Sequence, residues 1–99
     1  MFDAHRDQLR ALCLTYGVRR LEVFGSVARG EDRPGAGDVD LLVDFGDQPV
    51  VGAFKRYMGL KADLEALLGR PVDLVEPVAL TNPYLRKAID RDRRELYAA

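Results

Sequence analysis

One cysteine in 99 residues, no tryptophan and a single histidine exclude several kinds of chemistry before any motif is read. Cys13 has no partner for an internal disulfide, and with His5 it is too little to assemble a Cys/His zinc site. Any metal must therefore sit on oxygen ligands. No apolar run approaches the ~20 residues of a bilayer-spanning helix, so membrane insertion is not expected. The segment Met1-Phe2-Asp3-Ala4-His5-Arg6 lacks the apolar stretch and small-residue cleavage site of a secretory leader, and the expected compartment is the cytoplasm. An excess of one charge is missing too. Fifteen basic and sixteen acidic residues leave a net charge of −1, which gives no global pull toward a long polynucleotide. Twelve of the basic residues are arginine, the side chain whose planar fork suits phosphate. A single nucleotide is the more natural partner.

The apolar fraction of 47% and charged fraction of 31% fit an ordinary globular protein. Ninety-nine residues predict one small domain spanning 1–99, near the size at which a single core only just offsets chain entropy. Asp3 to Tyr16 reads as a helix, with Asp3 as a cap, apolar residues at three- and four-residue steps, and Gly17 as its stop. Arg20-Leu21-Glu22-Val23-Phe24 alternates as a half-buried strand does, and Gly25-Ser26 breaks it. A short helix is expected from Ser26 to Arg29, then a loop from Gly30 to Gly37. Asp38 to Phe45 is the most strand-like run, and its alternation places Asp38, Asp40, Leu42 and Asp44 on one face. Ala53 to Leu68 predicts a second amphipathic helix, Val72 to Val75 a short strand, and Thr81 or Asn82 a cap for a last helix carrying Leu85, Ile89 and Leu96. The order is helix, strand, short helix, strand, helix, strand, helix, an α/β (α+β) arrangement. The crossover from Asp38 to Val75 makes its two strands parallel. Asp38, Asp40 and Asp73 would then share one sheet edge, and an antiparallel first strand would bring Gly25-Ser26 there too.

Transfer of a phosphoryl-type group needs the triphosphate charge neutralised and the reacting oxygens aligned, and carboxylates holding divalent cations can do both. Two aspartates spaced by two on a strand point the same way. Asp73 could ligate a cation or take a proton from an acceptor hydroxyl. Gly25 lets backbone approach phosphate, and Ser26 offers a hydroxyl and an amide at a helix start, where an anion is favoured. Arg29, one turn on, is placed to reach a triphosphate oxygen. A Gly-Ser pair or an Asp-x-Asp is weak alone. Twelve residues apart on a strand-turn-loop-strand frame, they form a specific signal.

The set Phe24-Gly25-Ser26, Ala28-Arg29-Gly30, Asp38-Val39-Asp40-Leu41-Leu42-Val43-Asp44-Phe45 and Val72-Asp73-Leu74-Val75 resembles the minimal nucleotidyltransferases of the polymerase beta-like superfamily. These are the small partners of HEPN-domain proteins in bacterial and archaeal toxin-antitoxin pairs. The resemblance spans nearly the whole chain, and the segment from Leu85 to Tyr97, read as a helical tail, is similar to the family's ending. It implies a small mixed β-sheet with helices packed on it. It implies also a magnesium site, of two ions and open to manganese, at Asp38, Asp40 and Asp73, with phosphate contacts from Gly25 and Ser26. The implied reaction moves AMP from ATP onto a tyrosine of a HEPN toxin, which makes the chain an antitoxin. Gly37 stands where such sequences often carry serine, which removes a hydroxyl but not the metal site. The extra domain with which larger members select base and acceptor is absent, so a partner protein is expected to serve instead.

Blander readings stand beside these. Asp38 and Asp40 could be a charged strand edge kept soluble, though lysine is the commoner device there. Asp73 could face solvent after Pro71, Gly25-Ser26 could be a plain turn, and Arg29 a surface arginine. Asp44, on the same face but further along the strand, is read as structural or supporting. His5 is read as an exposed polar residue and Cys13 as a small buried hydrophobe. The mixed charges from Arg86 to Glu95 read as a solvated helix face or a partner surface. Tyr84 and Tyr97 could belong to that surface or to the core. Among functions, a non-catalytic module that neutralises a HEPN partner by contact is the alternative to the enzyme, and modification of a small molecule or an RNA end is a third. A neighbouring HEPN gene favours the first two.

Overall fold

The protein is described here by a computed structural model covering residues 2–30 and 37–99. The predicted loop between Gly30 and Gly37 therefore falls almost entirely outside the described residues. The elements are α1 (Arg6–Tyr16), β1 (Arg20–Phe24), α2 (Gly25–Ala28), β2 (Val39–Asp44), α3 (Ala53–Leu68), β3 (Val72–Val75), α4 (Pro83–Asp92) and β4 (Arg94–Ala98). Short 3-10 turns at Asp3–His5 and Pro77–Ala79 lead into α1 and toward α4.

Most predicted boundaries hold to within a residue or two. Gly17 ends α1 in the left-handed conformation, its N–H donating to the carbonyls of Cys13 and Leu14, and Gly69 closes α3 in the same way. Asn82, one of the two expected caps, accepts from the N–H groups of Tyr84 and Leu85. Asp3 does not cap α1. Its carboxylate pairs with Arg6 at 3.2 Å instead, and the first turn tightens to a 3-10 form. The larger correction is at the end of the chain. The expected helical tail to Tyr97 stops at Asp92, and Arg93 turns extended (φ −61°, ψ +135°) into the strand β4. The physical reason is the open edge of β1, which β4 pairs from Arg20↔Ala98 to Val23↔Arg94 with one register shift. Leu96 and Tyr97 then pack against the core from a strand rather than a helix.

The four strands lie in the order β3-β2-β1-β4, with β1 antiparallel to both neighbours and β2 parallel to β3. One face carries the main core. Leu21 and Val23 of β1, Val39, Leu41 and Val43 of β2, and Val72 and Leu74 of β3 pack there with Leu9 and Cys13 of α1 and Leu60 and Leu64 of α3. The other face has a smaller core, Phe24, Leu42 and Ile89, beneath α4. Because β1 is central and covered on both sides, Glu22 is buried rather than half exposed as its alternation suggested. Arg93 satisfies it with two hydrogen bonds, of 2.6 and 2.9 Å. Among the described residues no helix is long and apolar enough to cross a membrane.

Candidate active site

Strand register converts separate motifs into one site. Phe24, the last residue of β1, lies opposite Asp40, and Asp40 lies opposite Asp73 in the parallel pair. The Gly25-Ser26 turn, Asp40 and Asp73 therefore meet at one end of the sheet. Asp38 sits one residue before β2 at that same edge. The start of β2 is fixed by the Val39 N–H, which donates to the Pro71 carbonyl at 2.9 Å, and by Arg70, whose guanidinium donates to the Gly37 carbonyl at 3.1 Å. Pleat alternation aims Asp40 and Asp73 away from the main core, since Val39, Leu41, Val72 and Leu74 occupy it. Asp38 and Asp73 are exposed and Asp40 is half-buried.

Gly25 is required by both conformation and space. Its φ is +74°, and a Cβ there would stand 2.3 Å from Oδ2 of Asp40. The backbone of the turn thus lies directly against the carboxylate. The helix that follows, α2, is a single turn of four residues, Gly25–Ala28, one residue earlier than expected. Its dipole is correspondingly slight, and the individual N–H groups near Ser26 are the donors that matter for an anion.

Arg29 is the C-cap residue of α2. The sequence placed it on a triphosphate; the structure puts its Nη1 2.6 Å from a carboxylate oxygen of Asp92, at the end of α4. Its positive charge is still felt at Asp40. Asp44, by contrast, takes no part in the edge. It lies opposite Arg20 at the far end of β2, and its carboxylate accepts from the Gly46 N–H at 2.8 Å, which makes it a turn residue. Two further groups lie near the site. Tyr57 of α3 donates its hydroxyl to the Leu74 carbonyl, beside Asp73. Asp92, within the charged run that reads as a solvated helix face or a partner surface, has a side chain only 6% exposed. Neither has a local sequence signal, because each acts on an element distant in the chain.

The electrostatics of the edge are unbalanced toward negative charge. Burial raises the pKa of Asp40 above its ordinary value of 3.8, and the charges of Asp73 and Asp38 raise it further, with Arg29 opposing them. In the folded chain the protonated form is therefore favoured relative to the unfolded chain. Stability contributed by this group is present at low pH and is lost as pH rises from 3.8 through the raised folded value. At pH 7 without divalent ions, Asp40→Asn is accordingly expected to raise the melting temperature by roughly 2–5 °C. The gain should shrink as the pH approaches 3.8, and magnesium should stabilise the parent more than the variant. Differential scanning fluorimetry across pH, with and without magnesium, checks this; a lower melting temperature for the variant at pH 7 would contradict it.

Among the described residues no three His, Cys, Asp or Glu side chains already close on one point as a metal cage. The edge fits a cation in another way. Carboxylates gathered with their charge under-neutralised on a rigid edge suit a hard ion that takes few protein ligands and completes its octahedron with water and phosphate. Asp40 and Asp73, with Asp38 beside them, are the residues that would hold it. A cavity of about 700 Å³ behind α2, lined by Arg10, Val27, Arg94 and Tyr97 among others, includes none of Gly25, Ser26, Asp38, Asp40 or Asp73. It is separate from this edge.

Residues 5–96 match the model of a family described as the nucleotidyltransferase domain. The protein adenylyltransferase MntA of Thermococcus cleftensis is 46% identical over 75 residues, covering 76% of this chain and 69% of that one. A solved structure of a protein assigned as a minimal nucleotidyltransferase superposes with a TM-score of 0.74 at 40% identity, over 93% of this chain and 89% of that one. The antitoxin in a solved complex of a tri-AMPylated Shewanella oneidensis HEPN toxin with an MNT antitoxin shares the fold. Its TM-score is 0.65 at 17% identity, over 100% of this chain and 74% of that one.

Proposed function

The chain belongs to the nucleotidyltransferase domain family and is an enzyme of that class, and from that premise we propose that it transfers AMP from ATP to a tyrosine of a HEPN-domain toxin, as an antitoxin of the cytoplasm. The observation that carries the reading is the pairing of Asp40 with Asp73 across β2 and β3, with the Gly25 backbone against Asp40. The names of the relatives supply the nucleotide and the kind of acceptor.

In this reading Asp38, Asp40 and Asp73 hold magnesium, or manganese in its place. The ions supply charge neutralisation on the triphosphate and alignment of the attacking and leaving oxygens. The acceptor oxygen forms a bond to the α-phosphorus, the bond from that phosphorus to the bridging oxygen breaks, and pyrophosphate leaves. Ser26 donates its N–H and hydroxyl to phosphate oxygens, and Gly25 keeps that approach open. Arg29 adds a positive charge on the same side. Asp73, exposed at the sheet edge, is a ligand or the group that takes the hydroxyl proton.

A second reading, neutralisation by contact, is favoured by one observation. Val50, Val51 and Phe54 are 89%, 89% and 79% exposed, on the loop and first turn that follow β2. They therefore sit at the end of the sheet opposite the carboxylates. Clustered apolar exposure of this kind suits a protein partner. The two readings separate on incubating the full chain and a HEPN partner with each nucleoside triphosphate and magnesium, then weighing the partner intact. We expect an added mass of AMP with ATP alone, abolished by chelation of the divalent ion. An unmodified partner that is nonetheless neutralised would leave the contact reading standing.

A further inference from the structure

We propose that Tyr57 and Glu65 of α3 are positioning residues for Asp73, holding the outer side of β3 so that this carboxylate stays level with Asp40; this rests on the proposed function. β3 is an edge strand of four residues, paired on one side by β2. The Val39 N–H donates to the Pro71 carbonyl at 2.9 Å, while Val39 itself lies opposite Val72. In a parallel ladder that phase turns the backbone groups of Pro71 and Asp73 toward β2, and those of Val72 and Leu74 outward. Side chains of α3 meet two of the outward groups. Glu65 accepts from the Val72 N–H at 2.9 Å, and the Tyr57 hydroxyl donates to the Leu74 carbonyl.

These two bonds fall on either side of Asp73 in the chain. Asp73 is therefore held by the ladder on one side of the strand and, through its neighbours, by the helix on the other. Both anchors are themselves fixed. Tyr57 packs against the main core, and Glu65 is half-buried where the helix closes, its carbonyl accepting from the Gly69 N–H at 2.8 Å. The need for such a hold is electrostatic. Asp40 and Asp73 lie opposite each other, and the charge of Asp73 opposes ionisation of Asp40. Like charges level across a pair push its strands apart, and the edge strand is the one that yields. A magnesium ion shared by the two carboxylates demands near-ideal octahedral geometry, so the spacing of β3 from β2 bears directly on its affinity. Cover of an open strand edge against aggregation is the other use for such bonds, and it would leave metal affinity untouched.

The test measures manganese binding to the full chain in the presence of a non-hydrolysable ATP analogue, read from the paramagnetic resonance of the free ion. Tyr57→Phe keeps the ring and removes the donor, Glu65→Ala removes the acceptor, and Glu65→Gln retains one. Tyr57→Phe and Glu65→Ala are each expected to raise the half-saturating manganese concentration about three- to tenfold, the weight of one hydrogen bond, with the amount bound at saturation unchanged. Glu65→Gln should stay near the parent. Tyr16→Phe is the control, because it removes a 2.5 Å hydroxyl bond from α1 to Asp63 on another side of α3. It should lower the melting temperature without moving manganese affinity. Parent-like affinity in both Tyr57→Phe and Glu65→Ala would overturn the proposal and leave edge cover as their role; an equal shift in Tyr16→Phe would overturn it too. Should one of the two variants not fold, the other decides. A parent chain that takes up no manganese with the analogue would overturn the nucleotidyl-transfer reading and this one with it; a parent that binds normally beside unshifted variants overturns this one alone.

Discussion

A chain with both Asp38→Ala and Asp40→Ala is expected to remain folded and to keep its partner, yet to transfer AMP at least roughly a thousandfold more slowly. The size follows from the chemistry the carboxylates support, since cation-assisted charge stabilisation is worth several kcal/mol and each ~1.4 kcal/mol is tenfold in rate. The survival of the fold follows from the structure. Asp38 is exposed, and Asp40 is a group whose ionisation the surrounding charges and burial already oppose. Among the described residues no hydrogen bond or ion pair seen to these two carboxylates is lost. Association should survive because a stable protein interface occupies about 800 Å² on each side, far more than two short side chains at one sheet edge. Intact mass of the partner after timed incubation reads the transfer, and size-exclusion chromatography reads the association. If the double variant protects a toxin-producing cell as well as the parent does, and neither modifies the partner, neutralisation is by contact and the catalytic reading fails.

Why that edge was legible in the sequence is clear from its parts. Val39-Asp40-Leu41 in β2 and Val72-Asp73-Leu74 in β3 each set one acidic residue between two apolar ones, so Asp40 and Asp73 could be assigned to one face and Val39, Leu41, Val72 and Leu74 to the other. The crossover through α3 forces the two strands parallel, and a parallel register then brings the aspartates level. Gly25 announced its turn by composition. The close contact that makes glycine obligatory there, against Oδ2 of Asp40, belongs to the fold and not to the turn. β4 was illegible for a different reason. From Arg91 to Glu95 every residue is charged, so no apolar period of either kind marks the switch from helix to strand, and the open edge of β1 decides it. The local position of Arg29 points to a phosphate, and the structure adds a second partner that the sequence does not show. The carboxylate it meets lies 63 residues further on, beyond any spacing argument.

Arg93 and Glu22 are also far apart in sequence, and breaking their pair should give a large loss of stability. Arg93→Ala would leave the Glu22 carboxylate, whose side chain is 8% exposed, beneath α4 without either of its charged hydrogen bonds. Orphaning one member of a buried pair costs ~3–5 kcal/mol. Arg93 is itself 37% exposed, so solvent already screens part of its attraction and a loss of roughly 2–4 kcal/mol is the better expectation. For a domain of this length that lowers the melting temperature by about 10–25 °C. Chain size makes the effect consequential, because small single domains hold only about 5–15 kcal/mol in all. Replacing both partners at once, as Glu22→Leu with Arg93→Met, should cost much less than the single change, since no charge is then stranded. Urea denaturation of the parent, the single variant and the pair measures both quantities. A single variant as stable as the parent would mean that Glu22 finds water or another donor. In that case the packing of Ile89 on Phe24 and Leu42 would be what holds the end of α4 to the sheet, with the Arg29–Asp92 pair beside it.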